Sequence, residues 1–214
     1  MNRYVTELIG TFFLVFVIGM TALAAEVAAP IAIGSVLMVM VYMGGHVSGA
    51  HYNPAVSIAA WLRGALPKAD VVPYLAAQIF GAWLAAGVAY VITGETFAPA
   101  PGPEVGVVGM LLSEVLFTFA LVLVVLNVAT AKATSGNSHY GLAIGFTVMV
   151  GAYAVGPISG AAFNPAVGIG PTMVDALSGG GTLGHLWLYL VGPILGGVAA
   201  VPIFRMQNPE PADA

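Results

Sequence analysis

Polar positions in this chain are sparse, and the apolar residues between them form long stretches rather than short alternating runs. Predominantly apolar segments cover approximately Val5 to Ala24, Ile31 to Gly45, Val71 to Ile92, Val107 to Val128, Tyr140 to Gly156 and Leu183 to Phe204. An α-helix rises 1.5 Å per residue, so about 20 apolar residues cross the roughly 30 Å of hydrocarbon in a bilayer. The pattern predicts six membrane-spanning helices and no soluble core. The first segment has Glu7 where the apolar region of a signal peptide should begin and is longer than a signal needs, so it is read as a retained span.

Composition agrees with that reading. Of 214 residues, 59% are hydrophobic and 7% charged, against about 25% charged in a soluble domain. Mean hydropathy is +0.98. The few charges are sorted. Arg3, Arg63, Lys68, Lys132 and Arg205 all fall in the segments on one side of the six spans, whereas Glu26, Glu95, Glu104 and Asp175 fall on the other. Basic residues accumulate on the cytoplasmic side, so both termini are expected there, in a multi-pass protein of the cell membrane. With its charge divided across a bilayer, the net charge of −4 identifies no nucleic-acid partner. The absence of cysteine removes disulfides and thiol chemistry.

The chain also repeats itself. ELIGTFFLVFV from Glu7 and EVLFTFALVLV from Glu114 agree at 6 of 11 positions, and SGAHYNPAV from Ser48 and SGAAFNPAV from Ser159 agree at 7 of 9. Both pairs are separated by nearly the same interval, so one unit is written twice. One domain is expected over residues 1–205, with repeat one at about 1–93 and repeat two at about 106–205. Residues 206–214 are expected to be a disordered cytoplasmic tail. Each unit holds three spans, and an odd number of crossings inverts the second unit in the membrane.

Within each unit, Asn-Pro-Ala reads as a helix start. Asparagine is a preferred N-cap and proline suits the first helical position, which assigns Asn53, Pro54 and Ala55 to one start and Asn164, Pro165 and Ala166 to another. The helices that follow are short, meeting Gly64 and Ser178. At about 9 to 12 residues they reach halfway through a membrane. Entering from opposite faces, they would bring both capped N-termini to the midplane, after non-helical lead-ins at Gly44 to Tyr52 and Gly156 to Phe163. Irregular backbone at that depth is tolerated only inside protein or beside water. An Asn oxygen that caps its helix leaves its NH₂ as a donor, and two helix N-termini add about half a positive charge each. That environment suits a neutral, oxygen-bearing permeant and opposes cations.

Two Asn-Pro-Ala motifs, each preceded by Ser-Gly-Ala, with a glutamate opening spans one and four, resemble the major intrinsic protein family, the aquaporins and aquaglyceroporins. The resemblance covers nearly the whole chain. It implies an all-α membrane fold of six transmembrane helices plus two re-entrant half-helices in two inverted repeats of three spans each. It further implies a homotetramer in the lipid bilayer with one pore per subunit, passing water and small neutral solutes while excluding ions. By that likeness Asn53 and Asn164 flank the pore centre, Glu7 and Glu114 hold the lead-ins through backbone N–H groups, and His46 stands beside the cytoplasmic pore mouth.

The chain departs from the family at its outer constriction, where members usually carry Arg three residues after the second Asn. Here the residue is Val167, and spacing from the asparagines places Ile33, Ala152 and Ala161 at the other three positions. A one-residue slip would substitute Tyr153. The expected ring is wide and apolar, offering few hydrogen bonds to replace lost hydration.

The leading expectation is a passive channel for water and small uncharged solutes such as glycerol-like polyols, urea or neutral metalloid acids. Inverted repeats also describe transporters, in which Glu7 or Glu114 could carry a proton, and a non-conducting structural homologue is a third reading. No Ser/His/Asp set or cofactor loop suggests an enzyme, and neither cofactor nor metal is expected: His51, His139 and His185 have no carboxylate at ligand spacing. Gly81, Gly87, Gly192, Gly196 and Gly197 are assigned to close helix crossings.

Overall fold

The computed structural model describes residues 1–209, so residues 210–214 of the predicted tail lie outside the described residues. The described residues form eight α-helices: α1 (Asn2–Leu23), α2 (Ala29–Ser48), α3 (Pro54–Arg63), α4 (Lys68–Thr93), α5 (Val107–Thr130), α6 (Tyr140–Ser159), α7 (Pro165–Leu177) and α8 (Leu186–Gln207). Six are long and apolar enough to span a membrane, and α3 and α7 are the two half-length helices. Large apolar side chains are exposed on all six spans, among them Phe13, Val39, Phe80, Leu116, Val150 and Leu195. In water such a surface would be unfavourable; against lipid it is matched.

The two halves repeat one set of contacts. Helix α1 packs along α4, and α5 along α8. Each pairing closes on a glycine: a β-carbon on Gly81 would stand 2.5 Å from the carbonyl oxygen of Leu8, and one on Gly196 would collide with that of Val115. Between the halves, α2 and α6 cross at Gly34 and Gly145, where a β-carbon on Gly34 would come within 2.7 Å of the Gly145 carbonyl oxygen. Small residues are what let apolar helices approach this closely without a hydrophobic driving force. Gly192 and Gly197 are likewise packed, against Glu114 and Ala55, but nothing lies within 4 Å of a β-carbon at Gly87, which serves no crossing among the described residues of the chain.

The half-helices are exchanged between the halves. α7 lies mainly along α4 and α3 mainly along α8, and the two touch each other at their N-terminal ends. Gly170 fits against the backbone of Ala82, and Gly168 fits over Cβ of Tyr189. Neither half can complete its packing alone.

Two sequence expectations change. The lead-ins are shorter than expected, because α2 continues to Ser48 and α6 to Ser159 before Gly49 (φ 87°) and Gly160 (φ 85°) end them in left-handed caps. Glycines 44, 45 and 156 stay helical; at Gly44 the missing side chain makes room for the Tyr52 hydroxyl, and at Gly45 for the Tyr140 ring. Residues 206 and 207, expected in the tail, instead belong to α8. α8 runs to Gln207, and Asn208 Nδ2 donates to Asn127 Oδ1 (3.0 Å) and the Phe204 carbonyl (3.1 Å).

Candidate pore

Asn53 and Asn164 sit at matching helix starts. Oδ1 of Asn53 accepts from the N–H of Ala55, and Oδ1 of Asn164 from that of Ala166, both at 2.9 Å. Pro54 and Pro165, each at the first helical position, have no N–H to satisfy. The side-chain NH₂ groups differ from the sequence expectation. Asn53 Nδ2 donates across to the Phe163 carbonyl (2.8 Å), and Asn164 Nδ2 to the Tyr52 carbonyl (2.9 Å). An amide nitrogen carries two hydrogens, so each asparagine commits one to the opposite lead-in and has one remaining. Both asparagines are 4% exposed and border a common cavity of about 380 Å³.

The lead-ins, Gly49–Tyr52 and Gly160–Phe163, are held in a conformation that costs energy. Ala50, Tyr52, Ala161 and Phe163 all have φ near +50°, a region non-glycine residues avoid at a cost of about 1–2 kcal/mol each. Two buried carboxylates offset it. Glu7 accepts from the N–H groups of His51 (3.0 Å) and Tyr52 (2.7 Å), from Ser48 Oγ (2.7 Å) and from Gln78 Nε2 (2.8 Å). Glu114 accepts from the N–H groups of Ala162 (3.1 Å) and Phe163 (2.7 Å) and from Ser159 Oγ (2.7 Å). Each serine then takes the next backbone donor, Ser48 that of Ala50 and Ser159 that of Ala161. Tyr74 and Tyr189 bind the carbonyls of the same serines. Each carboxyl group thus meets donors that the irregular backbone would otherwise leave buried and unpaired, a cost of about 1–3 kcal/mol per group. Gln78 has no counterpart in the second half, where Glu114 instead packs its side chain on Gly192.

Ile33, Ala152, Ala161 and Val167 all border the same cavity, and Tyr153 does not: it is half exposed on the outer face of α6. A second cavity, of about 970 Å³, opens at the face carrying the basic residues and is lined by Arg3, His46, Arg63 and Lys132 among others. His46 is exposed there. The two cavities share His51, Val125 and Ile144. His51 was not among the sequence candidates for the pore. Its ring lies between the cavities with Nδ1 3.1 Å from Ser57 Oγ, and its position two residues before a helix-capping asparagine was the available signal. Phe97, from the connector between the halves, also lines the first cavity and was missed.

Six spans, two half-helices meeting end to end and a cavity running past both of their caps define a membrane channel. The chain belongs to the Major intrinsic protein family, whose profile matches residues 1–204. Among its relatives, Aquaporin NIP1-1 of Oryza sativa subsp. japonica is 38% identical over 97% of this chain and 75% of its own length. Aquaporin Z of Rhodopseudomonas palustris is 33% identical over 98% of this chain and 95% of its own. The aquaglyceroporin from Plasmodium falciparum, at 22% identity, shares the fold with a TM-score of 0.86, covering 95% of this chain and 94% of that one. Membership makes the chain a multi-pass channel for water and small solutes, and not an enzyme.

Proposed function

We propose that this protein is a passive, ion-excluding channel whose outer constriction, formed by Ile33, Ala152, Ala161 and Val167, is wide and apolar. Alongside water it passes small neutral solutes: glycerol-like polyols, urea and uncharged metalloid acids. The observation that carries this reading is the aliphatic lining of one cavity by all four ring residues, with no charged side chain among its lining residues. A permeant there sheds hydration without a replacement donor, which favours solutes with an apolar face over strongly hydrated ions.

At the centre, Asn53 and Asn164 each offer one free N–H beside a half-helix N-terminus. Donors and positive helix ends receive a neutral oxygen and repel cations. Glu7 and Glu114 spend their oxygens on backbone and side-chain donors, which counts against a proton-carrying transporter. The basic face, with Arg3, Arg63 and Lys132 around one cavity, is taken as cytoplasmic, and the functional unit as a homotetramer in the cell membrane.

Proteoliposomes loaded with the protein and challenged with water, glycerol, urea and arsenous acid gradients, read by stopped-flow light scattering, test the proposal. Flux of water and at least one solute, indifferent to an imposed proton gradient, is expected. Gradient-coupled flux would favour a transporter, and no flux of any kind a structural homologue.

A further inference from the structure

The cavity at the basic face gathers cations without a counter-charge of its own. Arg3, Arg63 and Lys132 border it together with His46, and no carboxylate is among its lining residues. Arg3 is matched from outside the lining by Asp70, at 2.6 Å. Arg63 and Lys132 have no acidic partner among the described residues. Arg63 is instead held by neutral groups: Nε donates to Thr130 Oγ1 and Nη2 to the Thr130 carbonyl, both at 3.2 Å, and its guanidinium carbon stands 4.9 Å from the centre of the Phe204 ring. A guanidinium has five N–H donors, so Nη1 and one hydrogen of Nη2 are left over in a fixed orientation. Topology explains why basic residues collect on this face; it does not explain two uncompensated ones in a single concavity.

The α5–α6 connector, residues 131–139, adds neutral donors to the same cavity. Its shape is set by its own side chains. Thr134 Oγ1 donates to the Asn127 carbonyl (2.5 Å), and Asn137 Nδ2 to the carbonyls of Val128 and Thr134 (both 2.7 Å). Between them, Ser135 and Gly136 form a turn closed by the Asn137 N–H on the Thr134 carbonyl (3.2 Å), with Gly136 at φ 78°. Ser135 and Gly136 both line the cavity beside Lys132. Lys132 Nζ, Ser135 Oγ and the Gly136 N–H have no hydrogen-bond partner among the described residues, and the space a β-carbon on Gly136 would enter is open.

We propose that this vestibule binds a phosphate group presented from the basic face, with Arg63 and Lys132 as its charged donors and Ser135 Oγ and the Gly136 N–H as its neutral ones, and that the occupied vestibule shuts the pore. A fixed guanidinium fork matches two oxygens of a tetrahedral anion, and an ammonium serves as a point charge beside it. Two cations facing one concavity repel each other, and its walls focus their field, so a doubly charged anion is the occupant that relieves them. At about 970 Å³ the cavity has room for a phosphate monoester as well as the bare ion. It stands in series with the pore, since His51, Val125 and Ile144 border this cavity and the outer one alike. The shutting rests on the passive-channel reading above; the binding does not.

Full-length protein in phosphatidylcholine vesicles tests both parts. Water and glycerol fluxes are read with inorganic phosphate or glycerol 2-phosphate on both faces, against chloride at equal osmolarity and ionic strength. Both fluxes should fall severalfold and in proportion, because a plug in the vestibule stops every permeant alike. A second arm adds phosphatidic acid to the vesicles and no soluble phosphate. Inhibition confined to that arm identifies a lipid headgroup as the source of the phosphate, and inhibition confined to the first a soluble compound. Lys132→Gln should raise the half-inhibiting amount about tenfold, the scale of one charge-assisted hydrogen bond. Lys132→Arg should restore it, and Ser135→Ala should raise it less. Arg63→Lys, which keeps the charge and loses the fork, should also weaken inhibition; if it does not fold, the two Lys132 variants carry the same test. Titration calorimetry of the detergent-solubilised protein with phosphate should rank the variants identically. Absence of both binding heat and inhibition, or inhibition that Lys132→Gln leaves unchanged, overturns the proposal, and binding with undiminished flux overturns the shutting. A wild-type protein that binds phosphate yet passes neither water nor glycerol would overturn the channel reading and bear out the site.

Discussion

Asn53 and Phe163 are 110 positions apart in the chain, yet the Asn53 side chain donates to the Phe163 carbonyl at 2.8 Å. Asn164 and Tyr52 make the mirror bond. Each asparagine thereby caps its own half-helix and ties down the lead-in of the other, so the two half-helices support each other's strained entry. Neither N-terminus can shift without loosening both.

Asn164→Leu tests this reciprocity. The substitution removes a cap, worth about 0.5–2 kcal/mol, and strands the buried Tyr52 carbonyl, at about 1–3 kcal/mol. Water and solute fluxes should both fall sharply, and Asn53→Leu should do the same. Vesicle light scattering checks it; wild-type flux in a well-folded Asn164→Leu protein would mean that these amides do not face the permeant.

The carboxylates yield a graded prediction. Glu7 serves four donors and Glu114 three, and each donor left unpaired costs about 1–3 kcal/mol. Glu7→Ala should therefore lower thermal stability more than Glu114→Ala, and Gln at either site should be milder than Ala because it keeps an acceptor. Melting of the purified proteins in detergent, followed by tryptophan fluorescence, ranks the four. A proton-coupled defect with normal melting would instead support the transporter reading.

At the crossing between the halves, a β-carbon on Gly145 would collide with the Gly34 carbonyl oxygen and stand 2.8 Å from Cβ of Met38. A carbonyl cannot rotate away as a flexible side chain can. Gly145→Ala should cost about 1–3 kcal/mol through overpacking, and Gly145→Val more, whereas Gly87→Ala should be neutral or slightly stabilising because it meets open space and alanine favours the helix. Side-by-side thermal melts of Gly145→Ala and Gly87→Ala decide whether the crossing is as tight as described.

What could be read from the chain divides along the range of the interactions involved. Asn53-Pro54 and Asn164-Pro165 are local signals, since cap and first-turn chemistry involve neighbours in sequence, and both helix starts were legible. The ends of α2 and α6 were not. Gly44, Gly45 and Gly156 look like breakers, but in place they remain helical, and the first two give room to Tyr52 and Tyr140, a requirement only the folded structure reveals. Gln78 joins the Glu7 cluster from α4 through tertiary packing alone. Phe97 packs on Gly19 and its neighbour Thr96 bonds Asp175, both far off in sequence, so no local pattern could assign Phe97 to this cavity.

Val167 stands where the family resemblance leads to the expectation of an arginine, and it gives the sharpest test of the proposed constriction. Its side chain is 3% exposed and belongs to a cluster with Val15, Ala82, Ala162, Ala166 and Tyr189, while bordering the cavity beside Phe97. An arginine there could not fit its longer side chain into that packed cluster, so its guanidinium would extend into the cavity, narrowing it and adding a cation with up to five N–H donors. Water needs only one such donor and little width, whereas a polyol must pass the same point with its carbon chain, so the two should respond differently. In Val167→Arg, glycerol flux should fall severalfold more than water flux, and water flux should hold or rise if dewetting of the aliphatic ring limits the native channel. Dividing solute by water flux in one vesicle preparation cancels differences in protein density. An unchanged ratio in a correctly assembled Val167→Arg protein would remove Val167 from the constriction.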